Sequence, residues 1–301
     1  MASSRSGCLR PFLVAVILFT SISIAILYVV YNSGQYLYEE DETSAYLIEG
    51  ALVFDGENWL PGTPKVLIVD GKIQCMGPDC QLPVGSKTIN AAGMTLLPGL
   101  TDLQVQFYRP TKEYEGLSNP ERLLRFTKQR PEVRQNFHKA GVTQVRSCGD
   151  ALKNIMALRE QMEDLQFSGP DIYIVGPMIT AVGGHPAVTE YAGNEYLIQE
   201  ACRQVKDVED MKQIIQELAD NRVNTIKMVF TSFGGKVARL SNEALIAGIE
   251  MATSKGLLVS VLTGTEEEMV TAAEAGATLI EYGTRFPISA ETAKLLRDRG
   301  V

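Results

Sequence analysis

Histidine is the scarcest informative residue in this chain. Only His138 and His185 occur in 301 residues, and two imidazoles cannot furnish the nitrogen donors of a histidine-rich metal centre. Cysteine is also sparse, with five residues, which is too few for a disulfide scaffold. Cys75 and Cys80 are near enough in sequence to pair across a turn, although spacing alone does not show it; Cys148 and Cys202 read as small buried residues. No basic stripe with interleaved aromatics occurs. The 28 Lys plus Arg against 36 Asp plus Glu give a net charge of -8, which argues against nucleic acid or anionic lipid as the main partner. Signatures of a serine or cysteine nucleophile are missing, and so is a phosphate loop. Gly234-Gly235-Lys236 lacks both the first glycine at the required spacing and the following Ser or Thr.

What is present is an ordinary globular composition, 45% hydrophobic and 21% charged, with one exception near the start. Phe12 to Tyr31 contains no charged residue. At about 1.5 Å per residue it is long enough for a hydrocarbon core of roughly 30 Å, and it reads as a transmembrane helix. Arg5 and Arg10 precede it, while Glu39, Glu40, Asp41 and Glu42 follow. The expected topology is therefore a single pass with the N-terminus cytoplasmic and the main domain exported to periplasm, lumen or cell exterior. A signal peptide is the competing reading, because Ser23-Ile24-Ala25 loosely resembles a cleavage triplet, but that triplet lies inside the apolar run.

Residues 32–45 are polar, tyrosine-rich and acidic, and read as a linker. Short strand-like runs then follow at 46–48, 51–54, 65–69 and 72–76, punctuated by Asp55-Gly56, Pro61-Gly62, Asp70-Gly71 and Gly77-Pro78, in the manner of a small β-rich module. From residue 96 the pattern changes to apolar strands alternating with amphipathic helices, the pattern of βα units. Strands are expected at 96–107, 142–147, 172–176, 224–231, 257–263 and 277–282. Before Lys227, the residues Val205, Val208, Met211, Ile214, Ile215 and Leu218 form one helical face. Thr265 to Glu268 fits a capping box, and Gly276 supplies a helix stop.

Several motifs, taken in order, resemble the amidohydrolase superfamily, in particular its imidazolonepropionase-like and prolidase-like branch, over nearly everything after residue 45. Ala51 to Gly56 and Val66 to Pro78 resemble its front sandwich. Leu97-Pro98-Gly99-Leu100-Thr101-Asp102 resembles the strand that opens its barrel, with Asp102 at the position before the two metal-binding histidines. Gly141-Val142-Thr143-Gln144-Val145-Arg146, Gly169-Pro170-Asp171 through Gly183-Gly184-His185, Asn224-Thr225-Ile226-Lys227, and Ala272 to Gly276 with Ile280-Glu281-Tyr282-Gly283-Thr284 match the following strands.

The resemblance implies hydrolysis of a carbon-nitrogen bond, in a cyclic amide or dipeptide, by zinc or another divalent metal. The implied ligand positions, however, are occupied by Gln104, Gln106, Lys227, Leu262 (with Gly264 nearby) and Tyr282. A primary amide is a weak donor for zinc, so no metal cofactor is expected. Lys227 is at the position of the family's carboxylated lysine, and without metals an ordinary lysine paired with a carboxylate such as Glu281 is the plainer reading. Gln104, Gln106, His185 and Tyr282 are candidate substrate-binding groups, against the alternative that the glutamines form a polar plug. Lys227, His185 and Glu281 are candidate catalytic remnants. His138, near a helix end, is read as favouring the helix C-terminal dipole and not as a ligand.

The expected fold is α/β: an incomplete TIM-type barrel of about six strand-helix units over 96–301, a β-sandwich module over 46–95, a linker over 32–45, a transmembrane helix over 12–31 and a cytoplasmic N-terminus over 1–11. The expected function is that of a pseudoenzyme or binding protein anchored in a membrane. An altered but active hydrolase and a truncated gene product are the alternatives. Open barrel edges imply an oligomer or a partner chain.

Overall fold

The computed structural model describes residues 9–33, 45–107, 134–163, 169–283 and 287–301. Two compact units emerge, Tyr36–Leu100 and the remainder. Most of the segments read as linker and cytoplasmic N-terminus lies outside the described residues.

Helix α1 (Leu9–Ser33) is continuous over 25 residues. Thr20 returns its hydroxyl to the Val16 carbonyl at 2.8 Å, so its polar atom is satisfied inside the helix. Among the described residues no helix is long and apolar enough to cross a membrane. The described side chains of α1 cover residues 14–26 and Tyr28, and the span read over 12–31 extends beyond them.

The unit at 36–100 contains β1 (Ala45–Glu49), β2 (Leu52–Val53), β3 (Lys65–Val69), β4 (Lys72–Gly77), β5 (Lys87–Asn90) and β6 (Thr95–Leu96). Four strands form a sheet in the order β4-β3-β1-β5, while β2 pairs with β6. The β3–β4 hairpin turns on Asp70-Gly71, both with positive φ (48° and 72°), the geometry that makes this dipeptide a tight-hairpin signal. Cys75 and Cys80 are joined in a disulfide with a Cα–Cα distance of 5.8 Å, one of the two outcomes left open by their spacing.

The larger unit carries the strand-helix alternation. Its elements are β7 (Leu100–Val105), β8 (Val142–Ser147), α2 (Leu152–Glu163), β9 (Asp171–Ile174), β10 (Met178–Ala181), α3 (Glu195–Ala201), β11 (Cys202–Val205), α4 (Val208–Asp220), β12 (Thr225–Val229), α5 (Asn242–Ser254), β13 (Leu258–Leu262), α6 (Glu266–Glu274), β14 (Leu279–Glu281) and α7 (Ala290–Arg299). Two sheets result, β7-β8-β9 and β11-β10-β12-β13-β14; β8 pairs with β9 in parallel, and so do the neighbouring strands of the second sheet.

Alternation along β12 and β13 divides the two faces. Ile226, Met228, Val259 and Val261 pack with Met211, Ile215, Leu218, Leu245 and Ile249 of the covering helices. The intervening Val229 and Leu262 join a second cluster with Met178, Tyr191 and Leu197. Lys227 and Ser260 share the latter parity and are register partners, as are Leu262 and Glu281. The period of two thus puts polar side chains on the face opposite α4 and α5.

Four expectations need correction. The strand read at 96–107 is split, because Pro98 has no N–H to donate and restricts Leu97: β6 pairs with β2, and β7 begins at Leu100. The third strand stops at Ile174 and resumes as β10 after Gly176, whose φ is +75°. Val205 ends strand β11 and does not belong to a helix; α4 starts at Val208, where the Asp207 side chain caps the Asp210 N–H. Thr265 caps Glu268 as expected at 3.2 Å, but the Glu268 carboxylate accepts from Gly264 N at 2.8 Å and Ser232 N at 3.4 Å, so the reciprocal half of the box is redirected to a neighbouring loop.

Candidate functional site

A cavity of about 570 Å³ opens in the larger unit. The ends of successive strands and their following loops line it: Gln106 after β7, Met178 in β10, His185 after β10, Lys227 in β12, Thr231, Phe233, Gly234 and Lys236 after β12, Leu262 at the end of β13 with Thr263 to Thr265 after it, and Tyr282 after β14. Ligand sites of parallel α/β architectures lie at this end of the strands. Of the positions singled out from sequence, Gln106, His185, Lys227, Leu262 and Tyr282 all line this one cavity. Two of the four described non-glycine residues with positive φ, Phe233 (48°) and Tyr282 (65°), also line it. Bulky side chains rarely adopt that conformation, and it concentrates where a site fixes a side chain's direction.

Behind the cavity is a buried ion cluster. Lys227 Nζ is 2.6 Å from Glu281 Oε2, and Arg146 from β8 meets Glu281 Oε1 at 2.5 Å. Arg146 also donates to the Leu103 carbonyl at 3.1 Å and to the Ser260 hydroxyl, and Ser260 donates to the Ile226 carbonyl at 3.2 Å. One carboxylate therefore bridges a guanidinium and an ammonium. Burial pushes the Glu281 carboxyl up, but Lys227 and then Arg146 outweigh it by charge and hydrogen bonding, leaving its pKa below the ordinary 4.5. Beside the cluster, burial raises the Cys148 thiol to about 11 against the opposing pull of Lys227 and Arg146, so it stays neutral at physiological pH.

The two glutamines are engaged differently. Gln104 donates to the Tyr282 hydroxyl, joining the end of β7 to the residue after β14. Gln106 donates to the Cys148 carbonyl at 2.8 Å. Asp102 accepts the Gln104 backbone N–H at 2.9 Å, a local bond within β7. His185 shares a hydrogen bond with Thr189 at 2.7 Å and meets Phe233 edge-on, with ring centroids 5.0 Å apart. His138 is exposed near the end of a short helical run and does not join the cavity lining.

These residues do not fit a divalent metal. Gln104 and Gln106 could offer only amide oxygens, which are weak donors for zinc, Lys227 is an ammonium paired with Glu281, and Leu262 offers no donor. At Gly264 a Cβ would fall 2.6 Å from Thr231 Oγ1, so a larger residue would require Thr231 to move. Among the described residues there is no group of three or more His, Cys, Asp or Glu that could hold a metal ion.

The role of Arg146, a residue of the Gly141–Arg146 motif, is not legible in the sequence, and neither are those of Ser260, Thr231 and Thr263. For Arg146 and Ser260, a cation or hydroxyl within a buried parallel strand is the available signal, since a strand covered on both faces admits a polar side chain only where a partner awaits it; Thr231 and Thr263 lie just past the ends of β12 and β13.

No family-level sequence profile matches the chain. Short matches occur to dihydroorotases: 32% identity over 69 residues to that of Geobacter metallireducens, 23% of this chain and 16% of the relative, and 43% over 49 residues to that of Mycobacterium tuberculosis, 16% of this chain and 11% of the relative. Solved structures match far more broadly. A Xaa-Pro dipeptidase with methionine bound in its active site superposes with a TM-score of 0.70 at 23% identity, covering 85% of this chain and 65% of that one. A. niger ochratoxinase gives 0.70 at 17%, covering 87% and 64%. An amidohydrolase gives 0.69 at 20%, covering 85% and 64%. The chain thus spans just under two thirds of the length of these structures.

Proposed function

The fold is that of the amidohydrolase superfamily, and on that premise we propose that this chain is a membrane-anchored binding protein that has given up metal-dependent cleavage of carbon-nitrogen bonds. The observation that carries the reading is the Arg146–Glu281–Lys227 cluster. Its lysine stands where the resemblance puts a metal-bridging group, and its ammonium is held by a carboxylate at 2.6 Å. An ammonium paired in this way has no free lone pair with which to capture carbon dioxide. The cavity above it remains large enough for a small amide or peptide.

Turnover of the full chain, in detergent or lipid discs, on a panel of cyclic amides and dipeptides tests this reading. It predicts no hydrolysis above the uncatalysed rate. Hydrolysis abolished by Lys227→Ala would instead support an altered hydrolase, for which the shared cavity placement of His185, Lys227 and Tyr282 is the favouring observation.

The apolar run at 12–31 is the anchor in this reading, with Arg5 and Arg10 on the cytoplasmic side. Strands β7 and β14 are edges of their sheets, and apart from Val105 the residues of β7 are exposed. Such edges are where a second copy or a partner chain would pair.

A further inference from the structure

We propose that the floor of the cavity recognises the carboxylate of a small amphipathic acid, with the Lys227 ammonium and the Thr263 hydroxyl as its donors. The proposal rests on the binding reading above and narrows it to a chemical class.

Donor accounting at the floor supports an acceptor-rich ligand. An ammonium carries three N–H donors, and Glu281 accounts for one of those of Lys227. Glu281 also serves Arg146, so a single negative charge is divided between two cations. Two further buried carboxylates stand in this neighbourhood, and both are already engaged: Asp150 takes the Ser147 hydroxyl at 2.7 Å and the Phe107 N–H at 3.1 Å, and Glu268 takes the Gly264 N–H at 2.8 Å and the Ser232 N–H at 3.4 Å. Thr263 is 2% exposed, lines the same cavity, and has no hydrogen-bond partner for its hydroxyl. A buried hydroxyl left without a partner is costly, and a ligand acceptor removes that cost on binding. Both unfilled donor sites are cation or hydroxyl, which suits an anion with two acceptor oxygens.

The walls select the rest of the ligand. Met178, Leu262 and Phe233 present apolar surface, and Tyr282 places its ring centroid 5.8 Å from Lys227 Nζ. Lys236 and Glu190 are exposed lining residues. Solvent screens them, so they contribute less than the buried pair to the choice of charge.

The test is calorimetric titration of the full chain in detergent with N-acetylmethionine and, separately, with its neutral primary amide. Saturable binding of the acid, at least about tenfold tighter than the amide, is expected. Thr263→Val, a nearly isosteric change at a site with no internal partner, should weaken the acid by about tenfold while changing amide binding little. Lys227→Met removes the charged donor but unbalances the buried cluster, so Thr263→Val carries the decision if that variant fails to fold. Equal affinity for acid and amide, an unaffected Thr263→Val variant, or no binding of either probe would overturn the proposal. Equal affinity would leave the binding role standing, whereas hydrolysis of the amide would remove that role itself.

Discussion

Lys227 and Glu281 form an ion pair at 2.6 Å although their strands are not neighbours: β13 runs between β12 and β14, and the pair bridges it on the face that carries Ser260. With both side chains 3% exposed, the contact is shielded from salt and water. It joins β12 to β14 through side chains, and Arg146 extends the link to β8 and, through Ser260, to β13.

Acid should release this link. Because the folded-state pKa of Glu281 lies below the ordinary 4.5, its stabilising contribution is complete above that value and is lost as pH falls through the lower folded value. Urea titrations at a series of pH values should show stability falling below about pH 4.5 in the wild type, and less steeply in Glu281→Gln, which starts lower. Identical slopes would show that the carboxylate is not coupled to folding.

Removing one partner should cost far more than a surface ion pair. Lys227→Met leaves Glu281 buried with Arg146 alone, and a loss of about 3 kcal/mol or more is expected. Chemical denaturation measures it; a change under about 1 kcal/mol, the range of exposed pairs, would contradict the buried geometry.

The Gln104–Tyr282 bond should contribute modestly. A double-mutant cycle with Gln104→Ala and Tyr282→Phe is expected to give a coupling of about 1 kcal/mol. Additive effects of the two substitutions would mean that β7 and the residue after β14 are not held together through these side chains.

The proposed anchor carries a prediction of topology from its flanking charges. In sealed vesicles retaining cellular topology, protease added from the cytoplasmic side should remove a tag at Met1 and spare one at Val301. Digestion of the C-terminal tag from that side would reverse the assignment.

The sequence made the repeated units readable because apolar strands and capped helices are local signals. The strand at 142–147, the Asp70-Gly71 turn and the Thr265 cap all rest on a few adjacent residues. Less visible were features decided by distant partners. Strand β11 is only Cys202 to Val205 and exists by pairing with β10, so Val205 was read as the first turn of the next helix. Arg146 lies 135 residues from Glu281, and no spacing rule links them; the Lys227–Glu281 pair could be suggested only because the family resemblance gave Lys227 a special position. Thr263 carried no motif, and its relevance appears only when its hydroxyl is found buried without a partner.

The central claim is that an organic ion cluster stands where a metal centre would otherwise be assembled. Elemental analysis of the full chain, produced with zinc and manganese available and then exchanged into metal-free buffer, tests it most directly. The account predicts far less than one metal per chain and no change in Lys227→Ala. One or more tightly held metals per chain, lost on that substitution, would contradict it.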